Sequence, residues 1–404
     1  MDKKKKVLWI SPFAPYDSVG HAGGKTHNFY IKYFQKCGFF DITLFSFCCK
    51  NEVSKIDLDK YGIAYDIDVQ DETTVKTIFR IINNVESVFN PWNKYCNIFL
   101  GYTRRVLVHK IKEWARKGEK PEIVVLQWTA MIFLYPVMKE VFPECKLVAI
   151  EEDVTYLAFE RRSSFAKSFY WKHVYQYQYK KMKAIELDAL AHMDIVVVNN
   201  PKDETLLKKE NLFNDRIYRV APFYERSDYK WKGGTKNIIF YGAMGREENY
   251  LSAIWFAENV LPRIDDQGVK FIIIGGNPHP SLNKIAEQRV KITGFVEDVR
   301  EYFENCLCLV APLVLGAGIK VKILEALDAG IPIMTNTIGI EGIPARDGRE
   351  YLHCEKAEDY IEYIQQMLAG EIDTEQLSDD ARKFMEQEYD IEKMLDNLID
   401  KCNK

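Results

Sequence analysis

The 404-residue chain has no CxxC pair; its nine cysteines fall at Cys37, Cys48, Cys49, Cys96, Cys145, Cys306, Cys308, Cys354 and Cys402. The number is odd and most lie in apolar runs, where a free thiol behaves as a small hydrophobe. A disulfide framework is therefore not expected, and a reducing, cytoplasmic compartment is. The seven histidines show no ligand spacing with these cysteines, so no metal site is expected. No apolar run approaches the roughly 20 residues that cross a bilayer. The opening "MDKKKKVLWISPF" is basic, then apolar only from Val7 to Ile10, too short for a signal-peptide core. A formal net charge of -4 lacks the basic excess of a nucleic-acid binder, and no such partner is expected. Internal repeats and low-complexity stretches are also missing.

What is present is a hydrophobic content of 47%, enough to bury real cores, in a chain long enough for two domains. Short apolar runs alternate with longer amphipathic segments. Strands are predicted at Val7–Ile10, Ile42–Phe47, Ile123–Gln127, Leu147–Ile150 and Ile195–Val198. A second set follows at Ile238–Tyr241, Phe271–Ile274, Lys291–Thr293, Leu307–Ala311 and Ile333–Thr335. Near-continuous branched apolar runs of this length mark strands buried on both faces of a parallel sheet. With helices between them, such as Asn249–Val260, they predict a doubly wound α/β domain, twice over. The polar, turn-rich "APFYERSDYKWKGGT" is read as a linker. Residues 1–220 then form the first domain, 221–235 the linker, 236–380 the second domain. A helix over 381–404 has Phe384, Met385, Tyr389, Ile391, Met394, Leu395 and Leu398 on one apolar face and returns toward the first domain. Ligands of open parallel sheets bind beyond the strands' carboxyl ends. Two such domains facing each other across a cleft suit a two-substrate reaction.

The most informative stretch is "GAGIKVKILEALDAGIPIMTNTIGIEGI", Gly316 to Ile343. A strand turns through Gly316 and Gly318 into a helix, and glycines there let a ligand approach backbone N–H groups. The helix N-terminus adds about half a positive charge, so phosphate is the expected guest. Ile319, Ile323, Leu324 and Leu327 form one apolar stripe, and Lys320 falls inside it. A cation at the positive end of a helix among packed side chains calls for a compensating anion. Lys322 and Glu325, three apart on the adjoining flank, can meet one ligand or each other, and Glu325 can accept hydrogen bonds from a ribose diol.

This segment resembles the donor-binding segment of the retaining glycosyltransferases of the GT-B fold, the large family 4 type, in particular members with a Gly-x-Gly-x-Lys-x-Lys-x-Leu-Glu-Ala pattern. "GGKTHNFYIKYFQKCG" resembles the family's N-terminal glycine loop and helix. "HMDIVVVNNPKDETLLKK" resembles its last N-domain strand and helix, and "NIIFYGAMGREENYLSAIWFAENVLPRI" its first C-domain strand and helix. "FIIIGGNP" and "VKITGFVEDVREYFENCLCLVAPL" fit the strands before the donor helix. The resemblance implies two Rossmann-like domains, a nucleotide-sugar donor, and transfer of a hexosyl group with retention and without a metal or other cofactor. It puts Gly23 and Gly24 beside the donor diphosphate, backbone groups around Val296 at the base, and Glu325 on the ribose.

The chain departs from the family at three places. The first glutamate of the family's Glu-x7-Glu motif would fall at Ala317. The Arg and Lys common after the strand equivalent to Ile238–Tyr241 are replaced by Ala243 and Glu248, leaving Arg246 as the nearby cation, with Lys320 and Lys322 able to supply the lost charge. In "LVAIEEDVTYLAFERR", Glu152 stands where relatives often carry a histidine near the sugar. Glu152 is assigned to the acceptor, and Lys320, Glu325 and Asp153 are the candidate catalytic residues. The resemblance leaves a glycan or lipid-linked acceptor open. A catalytically inactive nucleotide-sugar-binding protein and a nucleotide-sugar epimerase are the alternative readings. "YLAFERRSSFAKSFYWKHVYQYQYKKMK", Tyr156 to Lys183, is basic and aromatic. Its residues do not separate into two faces, which predicts a solvated helix with its aromatics turned inward. Peripheral contact with the inner face of the membrane is the alternative.

Overall fold

The apolar runs form two all-parallel sheets. The computed structural model describes residues 3–70, 81–82, 85, 101–166, 168–210, 215–286, 288–316 and 318–404. The chain divides into one unit of Met1–Phe223 with Ile391–Lys404, and a second of Tyr224–Asp390. In the first unit the strands are β1 (Lys5–Ile10), β2 (Phe40–Cys49), β3 (Ala64–Gln70), β4 (Ile123–Gln127), β5 (Lys146–Glu151), β6 (Ile195–Val198) and β7 (Ile217–Arg219), in the order β3-β2-β1-β4-β5-β6-β7. The second holds β8 (Asn237–Tyr241), β9 (Lys270–Ile274), β10 (Val290–Gly294), β11 (Cys308–Ala311), β12 (Ile333–Thr335) and β13 (Leu352–His353), in the order β10-β9-β8-β11-β12-β13.

The inner strands are buried along nearly their whole length: every residue of β4, β6, β11 and β12 is buried. Each branched side chain so removed from water stabilises the fold by roughly 1.5–3 kcal/mol before entropy is counted. Both sheets reverse direction once. In the first unit the chain builds outward from β1 and then restarts on its other side at β4; in the second it does the same from β8 to β11. Each reversal leaves a crevice beyond the strands' carboxyl ends, where the flanking loops part.

Sequence and structure differ at the edges and at the C-terminus. β3, β7 and β13 were not predicted. Of the residues read as linker, 221–223 lie in the first unit and 224–235 in the second, where Trp231 donates through its backbone N–H to Ala329 and through its indole N–H to the Cys306 carbonyl. In place of one helix over 381–404 there are two, Thr374–Glu388 in the second unit and Ile391–Asn403 in the first. The latter buries Leu395, Leu398, Ile399 and Cys402. Tyr33 bonds Asp396 at 2.8 Å, Lys146 bonds the Lys401 carbonyl at 3.1 Å, and Lys5 bonds that of Asn403. The eight described cysteines are free thiols, and Cys96 lies outside the described residues.

The basic, aromatic segment also departs from expectation. It forms helices Tyr156–Phe165 and Phe169–Ala191, and Phe169, Tyr170, Trp171 and Tyr177 are exposed rather than turned into the core.

Candidate functional site

In the second unit the crevice lies between the ends of β8 and β11. The chain leaves β11 through Pro312–Leu315, a turn held at three points. The Val314 N–H donates to the buried Ser252 hydroxyl at 3.2 Å, Asn336 donates to the Leu313 carbonyl at 2.8 Å, and Thr335 donates to that of Ala311 at 2.8 Å. Gly316 follows with φ of 148°, and a Cβ there would stand 2.8 Å from Cε of Lys320. Only glycine lets the backbone turn here while the lysine folds back across it. The helix Val321–Asp328 then begins, burying Ile323, Leu324, Ala326 and Leu327. Lys320 is its N-cap, not a residue of its first turn: its carbonyl accepts from the Ile323 and Leu324 N–H groups and its ammonium bonds the Gly318 carbonyl. Ala317 lies outside the described residues.

Lys322 reaches across the crevice. Its ammonium donates to Asn249 Oδ1 at 2.5 Å and sits 4.7 Å from the centre of the Phe240 ring. Asn249 is buried on helix Glu247–Asn259 and donates in turn to the Ala243 carbonyl at 2.9 Å. The Lys322 side chain keeps some solvent contact but is enclosed by protein on most sides. Burial pushes its ammonium down to about 7, with Lys320 and Arg246 adding repulsion and Glu248 and Glu325 opposing. The crevice therefore gathers three cations, Lys320, Lys322 and Arg246, around two carboxylates. Arg246 is mostly exposed and forms an ion pair with Glu248, so the carboxylate at the departure from the family pattern draws on the cation expected for the donor. Glu325 faces the crevice wall, where its charge adds to burial in raising the Tyr241 hydroxyl to about 12. Val296 is half-buried one residue beyond the exposed Phe295, past the end of β10.

In the first unit the reversal lies between β1 and β4. His21 caps helix Ala22–Lys36, its Nδ1 accepting from the N–H of the buried Gly24 at 3.0 Å. Gly23 packs against the Trp128 ring and Glu152. Trp128, just past β4, has φ of 69°, a strained setting for a bulky residue of the kind found at functional sites. Gln127 and Asn199, both buried, donate to the two oxygens of Glu152 at 2.7 and 3.0 Å. The half-buried Glu152 thus stands between the ends of β4 and β6, while the adjacent Asp153 is exposed. Burial and then the Asp153 charge push the Glu152 carboxyl up to about 8. Beneath it the buried carboxyls of Glu151 and Glu186 are raised too, chiefly by burial.

These raised values set a direction for pH dependence. The protonated carboxyl is favoured in the folded state, so Glu152's contribution to stability is fully present below its ordinary value of 4.5 and lost as pH rises through about 8. The melting temperature is expected to fall between about pH 5 and about pH 9, and Glu152→Gln to flatten part of that fall. An equally steep profile for the variant would show that Glu152 does not titrate in this range.

Gly316, Gly318, Lys320, Lys322, Glu325 and Arg246 thus gather at one sheet reversal, with Val296 beyond β10 of the same sheet; Gly23, Gly24 and Glu152 meet at the other. Sequence reading passed over Asn249, Gln127 and Asn199. The two latter had a signal, as each is a polar side chain ending or following a fully apolar strand. Asn249 had none, since its partner lies 73 residues away.

Two doubly wound parallel sheets, each with its polar groups at the reversal point, define the GT-B class of glycosyltransferase fold. HepE of Anabaena, solved in complex with UDP, matches 98% of this chain over 99% of its own length, with a TM-score of 0.65 and 11% identity. A mutant of S. aureus TarM in complex with Fondaparinux, alpha-GlcNAc-glycerol and UDP matches 99% of the chain over 100% of its own, with a TM-score of 0.64 and 12% identity. The sequence model described as "Glycosyl transferases group 1" matches residues 235–370, and the second unit belongs to that family. An uncharacterized 44.6 kDa protein in the cps region of Klebsiella pneumoniae is 20% identical over 290 residues, 66% of this chain and 71% of its own.

Proposed function

We propose that this glycosyltransferase moves a sugar from a nucleotide-sugar donor to a glycan or lipid-linked acceptor, with retention at the anomeric carbon and without a metal. The setting is the assembly of a surface polysaccharide or glycoconjugate, on the cytoplasmic side of the membrane and peripheral to it. The observation that carries this reading is the Lys322–Asn249 bond across the reversal of the second sheet, with Lys320 and the helix N-terminus beside it. The donor diphosphate sits against that helix N-terminus, and Gly316 and Gly318 leave room for it. Lys320, Lys322 and Arg246 offset the charge that grows as the nucleoside diphosphate leaves. Glu325 holds the ribose, backbone around Val296 meets the base, and Gly23 and Gly24 border the diphosphate. Glu152 and Asp153 bond sugar hydroxyls. The cps-region relative supports the polysaccharide setting, and the complexes with UDP support a nucleotide-linked donor.

Thermal-shift screening against nucleoside diphosphates and nucleotide sugars tests the donor site. A ligand at 100 times its dissociation constant stabilises by about 2.7 kcal/mol, a shift of several degrees. Lys320→Ala is expected to remove most of it, and an unchanged shift would count against the assigned role. Product analysis separates the remaining readings. A transferase releases nucleoside diphosphate, an inactive binder releases none, and an epimerase alters the sugar with no acceptor present.

A further inference from the structure

The outer face of helix Phe169–Ala191 takes no part in the site. Its inner face is fixed, with Gln178, Met182, Glu186, Ala189 and Leu190 buried. Its first turns stand clear of the unit: Ser168 to His173 are all exposed, with Phe169 at 80%, Tyr170 at 59% and Trp171 at 44%. A turn further on Tyr177 is 47% exposed, with the Lys181 ammonium 5.6 Å from its ring centre. At 100° per residue Phe169, Tyr170, His173, Tyr177, Lys180 and Lys181 fall within an arc of about 120°, while Trp171 and Lys172 lie outside that arc but are exposed on the same first turn. Large aromatics gathered in water on one protruding turn call for an occupant.

The charge around them says what kind. From Tyr156 to Lys183 the sequence carries seven Lys or Arg against one carboxylate, Glu160, in a chain whose net charge is -4. Lys172, Lys180 and Lys181 are exposed on the helix and Arg162 on the helix before it. Lys183 is already engaged by Glu210 at 2.7 Å. Tyr and Trp beside Lys is the combination that settles at a lipid headgroup layer, rings among glycerol and upper chains, ammonium groups on phosphates. Among the described residues no helix is long and apolar enough to cross a membrane, so this contact lies on one surface.

We propose that the N-terminal half of helix Phe169–Ala191 is a docking surface for an anionic lipid bilayer: Phe169, Tyr170 and Trp171 enter the headgroup layer while Lys172, Lys180 and Lys181 meet lipid phosphates. The inference gives the peripheral location proposed above a surface. It rests on this helix alone, so its failure leaves the donor site standing.

The test is flotation of the full chain with phosphatidylcholine vesicles, with and without phosphatidylglycerol. The protein is expected to float with the anionic vesicles, to stay behind with phosphatidylcholine alone, and to be released by salt. The triple variant F169S/Y170S/W171S and, separately, the double variant K180E/K181E are each expected to lower vesicle binding by about tenfold or more. Both alter exposed positions, so nucleoside diphosphate thermal shifts should stay at the wild-type level. Three results would overturn the proposal: no flotation with anionic vesicles at low salt, wild-type flotation of both variants, or wild-type dimers in sedimentation velocity that the triple variant loses, which would assign the patch to a second copy of the chain.

Discussion

Lys322→Ala is expected to lower the rate of sugar transfer by about 10²–10³-fold, the cost of removing one preorganised donor from a site of developing negative charge. The fold should survive, because the substitution removes a lysine whose protonated form is already disfavoured. With its pKa lowered to about 7, Lys322 contributes stability that is present above its ordinary 10.5 and lost as pH falls through about 7. A bound diphosphate reverses that preference by supplying the anion the ammonium lacks. Nucleoside diphosphate binding at about pH 8 should therefore take up a proton, and binding at about pH 6 should not. Calorimetry in buffers of different ionisation enthalpy reads the uptake directly, and Lys322→Ala should abolish it. Equal proton uptake by wild type and variant would remove Lys322 from the diphosphate site.

Gly275→Ala should be at least as damaging, through structure rather than charge. Gly275 follows β9 with φ of 151°, and a Cβ there would fall 1.7 Å from the Gly242 carbonyl oxygen. The loops after β8 and β9 touch backbone to backbone, and this contact sets the wall on which Asn249 is held. Strain and collision together are expected to cost at least about 3 kcal/mol, read as a fall in the urea midpoint with loss of the donor thermal shift. A loss under about 1 kcal/mol would mean that the two loops part easily.

Nine of the ten predicted strands were readable because each is an inner or near-inner strand whose burial on both faces demands an apolar run; the tenth, β10, lies at the sheet edge with only Val290 buried. β3 was not readable: in "AYDIDVQ" every residue is exposed or half-buried, as an edge strand allows, and the sequence there does not read as a core. β7 and β13 are too short, at three and two residues, to carry a pattern. The donor helix was legible from its glycines and lysines, yet its start was placed too early. Capping geometry, which makes Lys320 the boundary, depends on φ and ψ that the glycine turn imposes and residue types do not reveal. The polar clasps were hidden for a different reason. Asn249 with Lys322, and Glu152 between Gln127 and Asn199, join residues brought together only by strand order. The aromatic helix misled because its amphipathicity changes along its length. The C-terminal half turns a clear face inward, while the first turns are exposed all round, and averaging over the segment erased the difference.

The helix Ile391–Asn403 completes the unit whose first stretch ends at Phe223. That unit therefore cannot finish assembling on the ribosome until the whole of the other has been made. Between Phe223 and Ile391 a nascent chain carries all seven strands of the first sheet but lacks this covering helix, whose seat, around Tyr33, Lys146 and Lys5, is still open to chaperones. A stop codon near residue 390 would consequently injure the portion of the protein translated earliest, and spare the portion translated just before it.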